Sequence, residues 1–237
     1  MKRLLDVLLA GVALLVTAPL VALAAVLIRR VSRGPALYRT VRVGRGGAGF
    51  VMYKLRTMQV RRGAGWSAIT GQDDPRVFGL GVWLRRTKLD ELPQLFNVLR
   101  GEMAIVGPRP EDPRIVAAHY TPLQRETLTV RPGLTSPGSV YSYTHGEALL
   151  CGGDPEAVYV ATLLPIKLAL DLVYVRRASL AYDLRLIGRT AWVLGARLLG
   201  KRSFAEPPEM TQAHQLILAG AVQSASPRPR TTAPAIL

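Results

Sequence analysis

Residues Leu4 to Ile28 form an almost unbroken apolar run, interrupted only by Asp6 near its start and Thr17 in the middle. Coiled as a helix at 1.5 Å per residue, the run would reach roughly 37 Å, enough to cross a bilayer core of about 30 Å. Three readings compete for it. Lys2 and Arg3 precede an apolar core and Ala22-Leu23-Ala24 mimics a cleavage site, as in a signal peptide. The length equally fits a spanning anchor. The third reading is a re-entrant helix that dips into one leaflet and returns, and the flanks favour it. Lys2 and Arg3 on one side, with Arg29, Arg30 and Arg33 on the other, pull both ends toward the cytoplasm. Pro19 bends the helix, and the nine residues after it cover only about 14 Å. A proline-kinked spanning helix stays open on this pattern alone.

Beyond the apolar run the period changes. Ala36 to Arg42 and Phe50 to Arg56 carry β-branched and aromatic residues around a glycine-rich connector, Gly44 to Gly49, and predict a β-hairpin. The connector lacks the Walker lysine spacing, so phosphate cradling by it is weakly supported. Gly63 to Gly71 reads as a mobile loop, and Asp73-Asp74-Pro75-Arg76 opens a helical stretch through Trp83 to Arg86. Pro93 sets a helix start near Asp90, Leu92, Leu95, Phe96 and Leu99 give it one apolar stripe, and Gly101 stops it. Arg131-Pro132-Gly133-Leu134 reads as a turn, Ser136 to Gly153 as irregular, and Pro155 to Arg176 as helix with a break at Pro165. Asp183 to Lys201 sets Leu184, Leu186, Ile187, Trp192, Leu194 and Leu198 against Arg185, Arg189, Arg197 and Lys201. That is a basic amphipathic helix, suited to an anionic membrane interface or to core packing with a solvated basic side. From Ser203 onward the chain is rich in Pro, Ala, Ser and Thr and reads as disordered.

The expected fold is therefore mixed α/β and mainly helical. A re-entrant membrane helix occupies residues 1–33. A membrane-surface catalytic domain over 34–202 combines a small β-hairpin with interfacial amphipathic helices, and residues 203–237 form a disordered tail.

Charge narrows the partner. The 237 residues carry 31 Lys and Arg against 16 Asp and Glu, a formal net charge of +15. Nucleic acid, an anionic membrane surface and a nucleotide diphosphate are all polyanions that would match it. Zinc-finger spacing, a helix-turn-helix pattern and an aromatic RNA-binding signature are missing from the sequence, which argues against nucleic acid. Cys151, the only cysteine, excludes an intrachain disulfide and a cysteine-based metal site. His145 is close to it in sequence, but nothing else supports a catalytic thiol. His119, His145 and His214 show no metal-ligand spacing.

The candidate chemistry lies in Leu89 to Phe96 and Val106 to Pro110. Asp90 and Glu91 precede a helix start, and Arg109 sits between two prolines. Asp90 as a plain N-cap and Glu91 as a first-turn acid account for the carboxylates. A nucleophile or metal ligand at the same positions does too, because the positive helix end keeps a carboxylate ionised. Lys54 and Arg56 stand on alternate positions of the second hairpin strand, either toward a site or on a solvated face.

Placed in order, these motifs resemble the bacterial sugar transferase family, the monotopic phosphoglycosyl transferases. The resemblance runs from Lys2-Arg3-Leu4-Leu5-Asp6 through Tyr53 to Met58, Asp74 to Val77, Leu84 to Gln94 and Gly101 to Pro110, and ends with Arg131 to Thr135 and Tyr174 to Thr190. It implies transfer of a sugar 1-phosphate from a nucleoside diphosphate sugar, with uridine the expected base, to a membrane polyprenol phosphate. It implies an active site on the cytoplasmic face of the cytoplasmic membrane, and the start of surface glycan assembly as the setting. By the matching motifs Asp90 is the nucleophile that forms a covalent phosphosugar, and Glu91 its acid/base or metal-organising partner. Mg²⁺ would bind at Asp90 and Glu91. Arg109 resembles a phosphate clamp, with Arg85, Lys54 and Arg56 as further substrate contacts. Membrane lipid joins the expected partners, a homodimer stays open, and nucleic acid is not expected.

Three departures stand out. Ala18-Pro19 replaces the Ser-Pro common at the membrane break, with Thr17 as a substitute hydroxyl. After Thr135, members often continue Gly-Trp-Ala-Gln-Val-Asn-Gly-Arg, whereas this chain runs Ser136-Pro137-Gly138-Ser139-Val140-Tyr141-Ser142-Tyr143. That bears on sugar or nucleotide preference. The long multi-span extension of larger members is also not seen, which points to the minimal form. Two rivals remain at this point: a membrane-tethered basic protein that binds polyanions without chemistry, and a catalytically lapsed family member.

Overall fold

The computed structural model describes residues 1–59, 74–149 and 154–225. Helix α1 (Lys2–Val31) is continuous and contains Pro19. The proline deprives the Leu15 carbonyl of its helical donor. Thr17 donates its hydroxyl to the Ala13 carbonyl at 2.6 Å, one turn back, so it does not serve the carbonyl that Pro19 leaves bare.

Small residues let α1 approach the body closely. Ala10, with Ala13 and Leu14 beside it, packs against Met52, Leu95, Val98 and Met103. Ala24 and Ile28, with Val21 and Ala25, pack against Ala36, Leu55, Phe78 and Leu84. The opposite stripe, including Leu4, Leu8, Val12, Leu15, Val16 and Leu23, is exposed. Both ends are tied to the same body. The Lys2 ammonium donates to the Val106 carbonyl (3.0 Å), the Tyr174 hydroxyl (2.6 Å) and Asp183 (2.8 Å). Arg3 donates to the carbonyls of Val98 and Leu99. At the far end Arg56 donates to the carbonyls of Ser32 and Arg33, at 2.5 and 2.7 Å, which cap the helix with a cation.

The hairpin forms as expected. Strand β1 (Leu37–Val43) pairs antiparallel with β2 (Gly49–Leu55), in register from Leu37↔Leu55 to Val43↔Gly49. Gly46 and Gly47, at φ 68° and 82°, make a left-handed turn that side chains would strain. Asp74 to Arg76 is a turn in which Asp74 accepts the backbone N–H and guanidinium of Arg76. Helix therefore begins later than expected, at α2 (Gly79–Thr87). Helix α3 (Gln94–Arg100) ends at Gly101, φ 84°. Its inward face differs from the expected stripe: Leu95 and Val98 are buried with Gln94 and Asn97, while Phe96 is exposed. Asn97 acts there as an extra edge partner of β2, donating to the Val51 carbonyl and accepting from the Tyr53 N–H.

A second, parallel pair not foreseen in the sequence joins β3 (Ala104–Val106) to β4 (Gly133–Thr135). It needs glycine: a Cβ on Gly133 would fall 2.1 Å from the Gly107 nitrogen. Helix α4 (Pro113–His119) is capped by Asp112. The segment read as irregular is largely helical, as α5 (Pro137–Thr144) and α6 (Gly146–Leu149), because Ser136 caps the Ser139 N–H and Pro137 occupies the first turn. Helix α7 (Pro155–Val158) passes through a π turn at 159–163 into α8 (Leu164–Arg177), with Pro165 in its first turn. Helix α9 (Leu180–Leu198) follows the Ser179 cap.

The tail is the main departure. Helix α10 (Met210–Ala225) packs on α8 and buries Met210 and Ala213 in the largest core cluster, beside Tyr120, Tyr159, Leu164 and Leu168. Its approach is fixed by Glu209, which accepts from Arg189 and from the Tyr182 hydroxyl at 2.6 Å. The expected loop at Gly63–Gly71, Cys151 and residues 226–237 of the tail lie outside the described residues.

Candidate active site

The site is built where α2 gives way to α3. Lys88 adopts φ 60°, a left-handed conformation that turns the chain and is followed by a single 3-10 turn, Leu89–Glu91. Asp90 and Glu91 are both buried. They are adjacent carboxylates with unlike surroundings.

Glu91 is saturated by cations. Arg109 grips it with both guanidinium nitrogens, at 2.9 and 2.6 Å; Lys54 reaches the same carboxylate at 3.4 Å and Lys88 lies 3.8 Å away. Burial alone would raise its pKa, but Arg109, Lys54 and Lys88 hold it well below the usual carboxylate range. Asp90 has no such grip. Its Oδ1 is buried without a hydrogen-bond partner among the described residues. Burial pushes its pKa up and the Glu91 charge adds to that, with Lys54, Lys88 and Arg85 acting in the opposite direction. Neighbouring carboxylates whose environments drive their pKa values apart are a signature of divided roles.

The surrounding cations are themselves perturbed. Burial depresses Lys54, and depresses Lys88 to about 8. Arg85 donates to Thr57 Oγ1 at 2.8 Å and is one of the charges that Asp90 feels. Four cations thus face two carboxylates, an excess of positive charge that favours an anionic ligand.

Of the residues named from the sequence, Asp90, Glu91, Arg109, Lys54 and Arg85 come together here. Arg56 does not join them; it lies just past the end of β2 with its guanidinium on the end of α1. Three residues join that the sequence reading did not single out. The Tyr143 hydroxyl accepts from Arg109 Nη1 at 3.4 Å, and the Lys88 ammonium sits 4.1 Å from the centre of its ring. Gln94 is fully buried one turn after the carboxylates, with neither amide atom partnered among the described residues. Gln94 was visible within the Leu89–Phe96 run, but the approach of Tyr143 from α5 had no local signal.

Behind the site, α8 anchors what carries Arg109 and Tyr143. Glu111, one residue past the Pro108–Pro110 loop, accepts from Lys167 at 2.8 Å and from the Tyr159 hydroxyl. Asp171, one turn further along α8, accepts the Gly138 N–H at 2.9 Å at the start of α5; burial raises its pKa to about 6.

No group of three or more His, Cys, Asp or Glu able to hold a metal occurs among the described residues. Mg²⁺ is commonly bound by one or two carboxylates together with water and substrate phosphates. The unpartnered buried oxygen of Asp90 fits that mode, and Glu91 fits it only by sharing oxygens already occupied by cations.

Comparison with known proteins gives a consistent picture. A Bacillus subtilis protein, named a putative undecaprenyl-phosphate N-acetylgalactosaminyl 1-phosphate transferase, is 46% identical over 115 residues, which is 47% of this chain and 63% of that protein. A UDP-glucose:undecaprenyl-phosphate glucose-1-phosphate transferase of Caulobacter vibrioides is 40% identical over 195 residues, 80% of this chain and 67% of the relative. The exopolysaccharide production protein PSS of Rhizobium leguminosarum bv. phaseoli is 34% identical over 193 residues, 79% of this chain and 91% of the relative. The matched region is less than half the length of several other relatives. The sequence profile described as bacterial sugar transferase matches residues 1–197, a span holding α1, the hairpin and every residue of the charged cluster, and the chain belongs to that family.

Proposed function

We propose that the protein transfers a sugar 1-phosphate from a UDP-sugar to undecaprenyl phosphate, through an aspartyl-phosphosugar intermediate on Asp90. The observation that carries this reading is the contrast between the carboxylates: Asp90 keeps a buried oxygen uncommitted while Glu91 beside it is fully engaged. A carboxylate without hydrogen-bond partners in a cation-rich site is a competent nucleophile toward phosphorus. The donor and acceptor classes follow the names of the relatives.

In the first step an Asp90 oxygen attacks the sugar-bearing phosphorus. The bond to the bridging oxygen breaks, and its electron pair leaves with the nucleoside monophosphate. In the second step a phosphate oxygen of the polyprenol phosphate attacks the same phosphorus and expels the Asp90 carboxylate. No proton transfer is needed in either step. Arg109, locked by Glu91, presents a fixed positive charge beside the reacting group, and Lys54 adds a second. Asp90 and Glu91 are the residues that would hold Mg²⁺, which would supply further charge neutralisation.

The membrane placement belongs to the same proposal. Because Lys2, Arg3 and Asp6 fasten one end of α1 to the body and Arg56 fastens the other, a re-entrant helix with both ends on the cytoplasmic face accounts for the contacts. Its exposed stripe of Leu and Val then meets lipid. Surface glycan assembly is the setting.

Purified protein in nanodiscs, given Mg²⁺, undecaprenyl phosphate and a panel of UDP-sugars, is expected to release UMP with at least one sugar and to lose that release with a chelator. Silence across the panel would refute the function. External labelling of single cysteines placed beyond Arg30 would refute the topology.

A further inference from the structure

Lys88 lies within ion-pair range of Glu91 but is the cation of the cluster that donates no hydrogen bond among the described residues. It is the only non-glycine residue with positive φ among the described residues, and it immediately precedes the turn that carries Asp90 and Glu91. A left-handed backbone under a long side chain is strained, and persists only where its surroundings hold it. The other three cations have acceptors: Arg109 is bidentate on Glu91, Lys54 donates to Glu91, and Arg85 donates to Thr57. The Lys88 ammonium stands 3.8 Å from Glu91, beyond hydrogen-bond length, and has no acceptor among the described residues.

What holds it is an aromatic face. The ammonium lies 4.1 Å from the centre of the Tyr143 ring. A ring fixes a cation in place without taking up its N–H donors or cancelling its charge, as a carboxylate would. Tyr143 is itself placed by its hydroxyl on Arg109 and by α5, whose first turn Asp171 anchors.

We propose that Lys88 binds the phosphate oxygens of the sugar nucleotide directly, and that Tyr143 is the positioning residue that aims it. The inference rests on the phosphoglycosyl transfer reading of the same site.

The test is binding of UDP, and of inorganic pyrophosphate as a base-free probe, to full-length protein in nanodiscs, measured by calorimetry beside UMP release. Lys88→Met is expected to weaken both ligands about tenfold, the loss of one charge-assisted hydrogen bond, and Lys88→Arg to recover most of it. Tyr143→Leu is expected to weaken them about fivefold, and Tyr143→Phe, which keeps the ring, to recover most of that. The double variant Lys88→Met with Tyr143→Leu should bind no worse than Lys88→Met alone. Unchanged affinity in Lys88→Met, in a variant that unfolds at the wild-type temperature, would overturn the contact. Independent, additive losses in the double variant would overturn the positioning role, and loss of pyrophosphate binding in Tyr143→Phe equal to that in Tyr143→Leu would move the role from ring to hydroxyl and overturn it too. Wild-type protein that binds UDP but releases no UMP would refute the transfer reaction while these affinities still decide the site. Wild-type protein that binds neither ligand would refute both.

Discussion

Replacing Asp90 by Asn should abolish transfer and yet make the protein more stable. The side chain is nearly fully buried, its Oδ1 has no hydrogen-bond partner among the described residues, and an ionised Glu91 is its immediate neighbour. An unsatisfied buried polar atom costs about 1–3 kcal/mol, and more when charged. Asn is nearly isosteric and removes the charge but not the need for a partner, so a gain of about 1 kcal/mol at neutral pH is expected. For a protein of this size that is a rise of about 2–4 °C in Tm. The pH dependence fixes the cause. Asp90's folded pKa is raised, so its neutral form suits the folded state, and the stability it contributes below the ordinary value of 3.8 is lost as pH rises through the folded pKa. The advantage of the Asn variant should therefore vanish below about pH 4, grow as pH rises from there to the folded pKa, and hold its full value above it. Glu91 works in the opposite sense. Its pKa is depressed, so the stability it contributes is present above the ordinary value of 4.5 and is lost as pH falls through the folded value. Thermal unfolding of wild type and Asp90→Asn across that pH range, with UMP release measured alongside, reads both effects. Activity should fall at least about 10⁴-fold. An Asn variant less stable than wild type at pH 7, or a stability gap that does not change with pH, would refute the assignment of Asp90 as an unpaired buried carboxylate.

Arg109→Lys keeps the charge but loses the two-pronged grip on Glu91, and should lower kcat/KM about 10–100-fold in steady-state UMP release. Ending the chain after residue 202 removes Met210 and Ala213 from the core and strips Arg189 and Tyr182 of Glu209. Destabilisation of about 2–5 kcal/mol, read by denaturant unfolding in detergent, is expected. Lys167→Met leaves buried Glu111 with only Arg42, 3.7 Å away, as a cation, and should cost about 3 kcal/mol, the low end for a broken buried pair, in the same assay.

The hairpin was legible because β-branched and aromatic residues flank a connector rich in glycine, and both signals are local. The carboxylate pair and Arg109 were legible as a group only through the order of the motifs; that Arg109 would close on Glu91 rather than stand apart from it depends on β3 pairing with β4, which carries the proline loop into place. Arg56 shows where strand reasoning stops. Alternation places it with Lys54, but β2 ends at Leu55, and the bare carbonyls at the end of α1 are the nearer acceptors. Helix α10 was hidden by averaging. The tail as a whole is rich in proline and small residues, yet Met210 to Leu218 contains good helix formers, with Ala213, Leu216 and Ile217 on one apolar stripe. Tyr143 had no sequence signal, because the ring it offers to Lys88 matters only after α5 has been docked by Asp171.

The two carboxylates explain why the site needs so many cations. A nucleophile toward a diphosphate must be ionised, unpartnered and close to positive charge at the same time, and these demands conflict, since a nearby cation tends to pair with the nucleophile. Glu91 resolves the conflict. By engaging Arg109 and Lys54 it fixes their positions and prevents them from collapsing onto Asp90, while their charges still interact with it. On this account Glu91→Gln should damage the reaction even though Glu91 touches no reacting atom. The freed Arg109 would turn toward Asp90 and lower its pKa and its nucleophilicity together. The variant's rate deficit in UMP release should therefore be largest at the pH where wild-type Asp90 is ionised, and should narrow as pH falls and wild-type Asp90 is protonated. A deficit that widens toward low pH would refute this account.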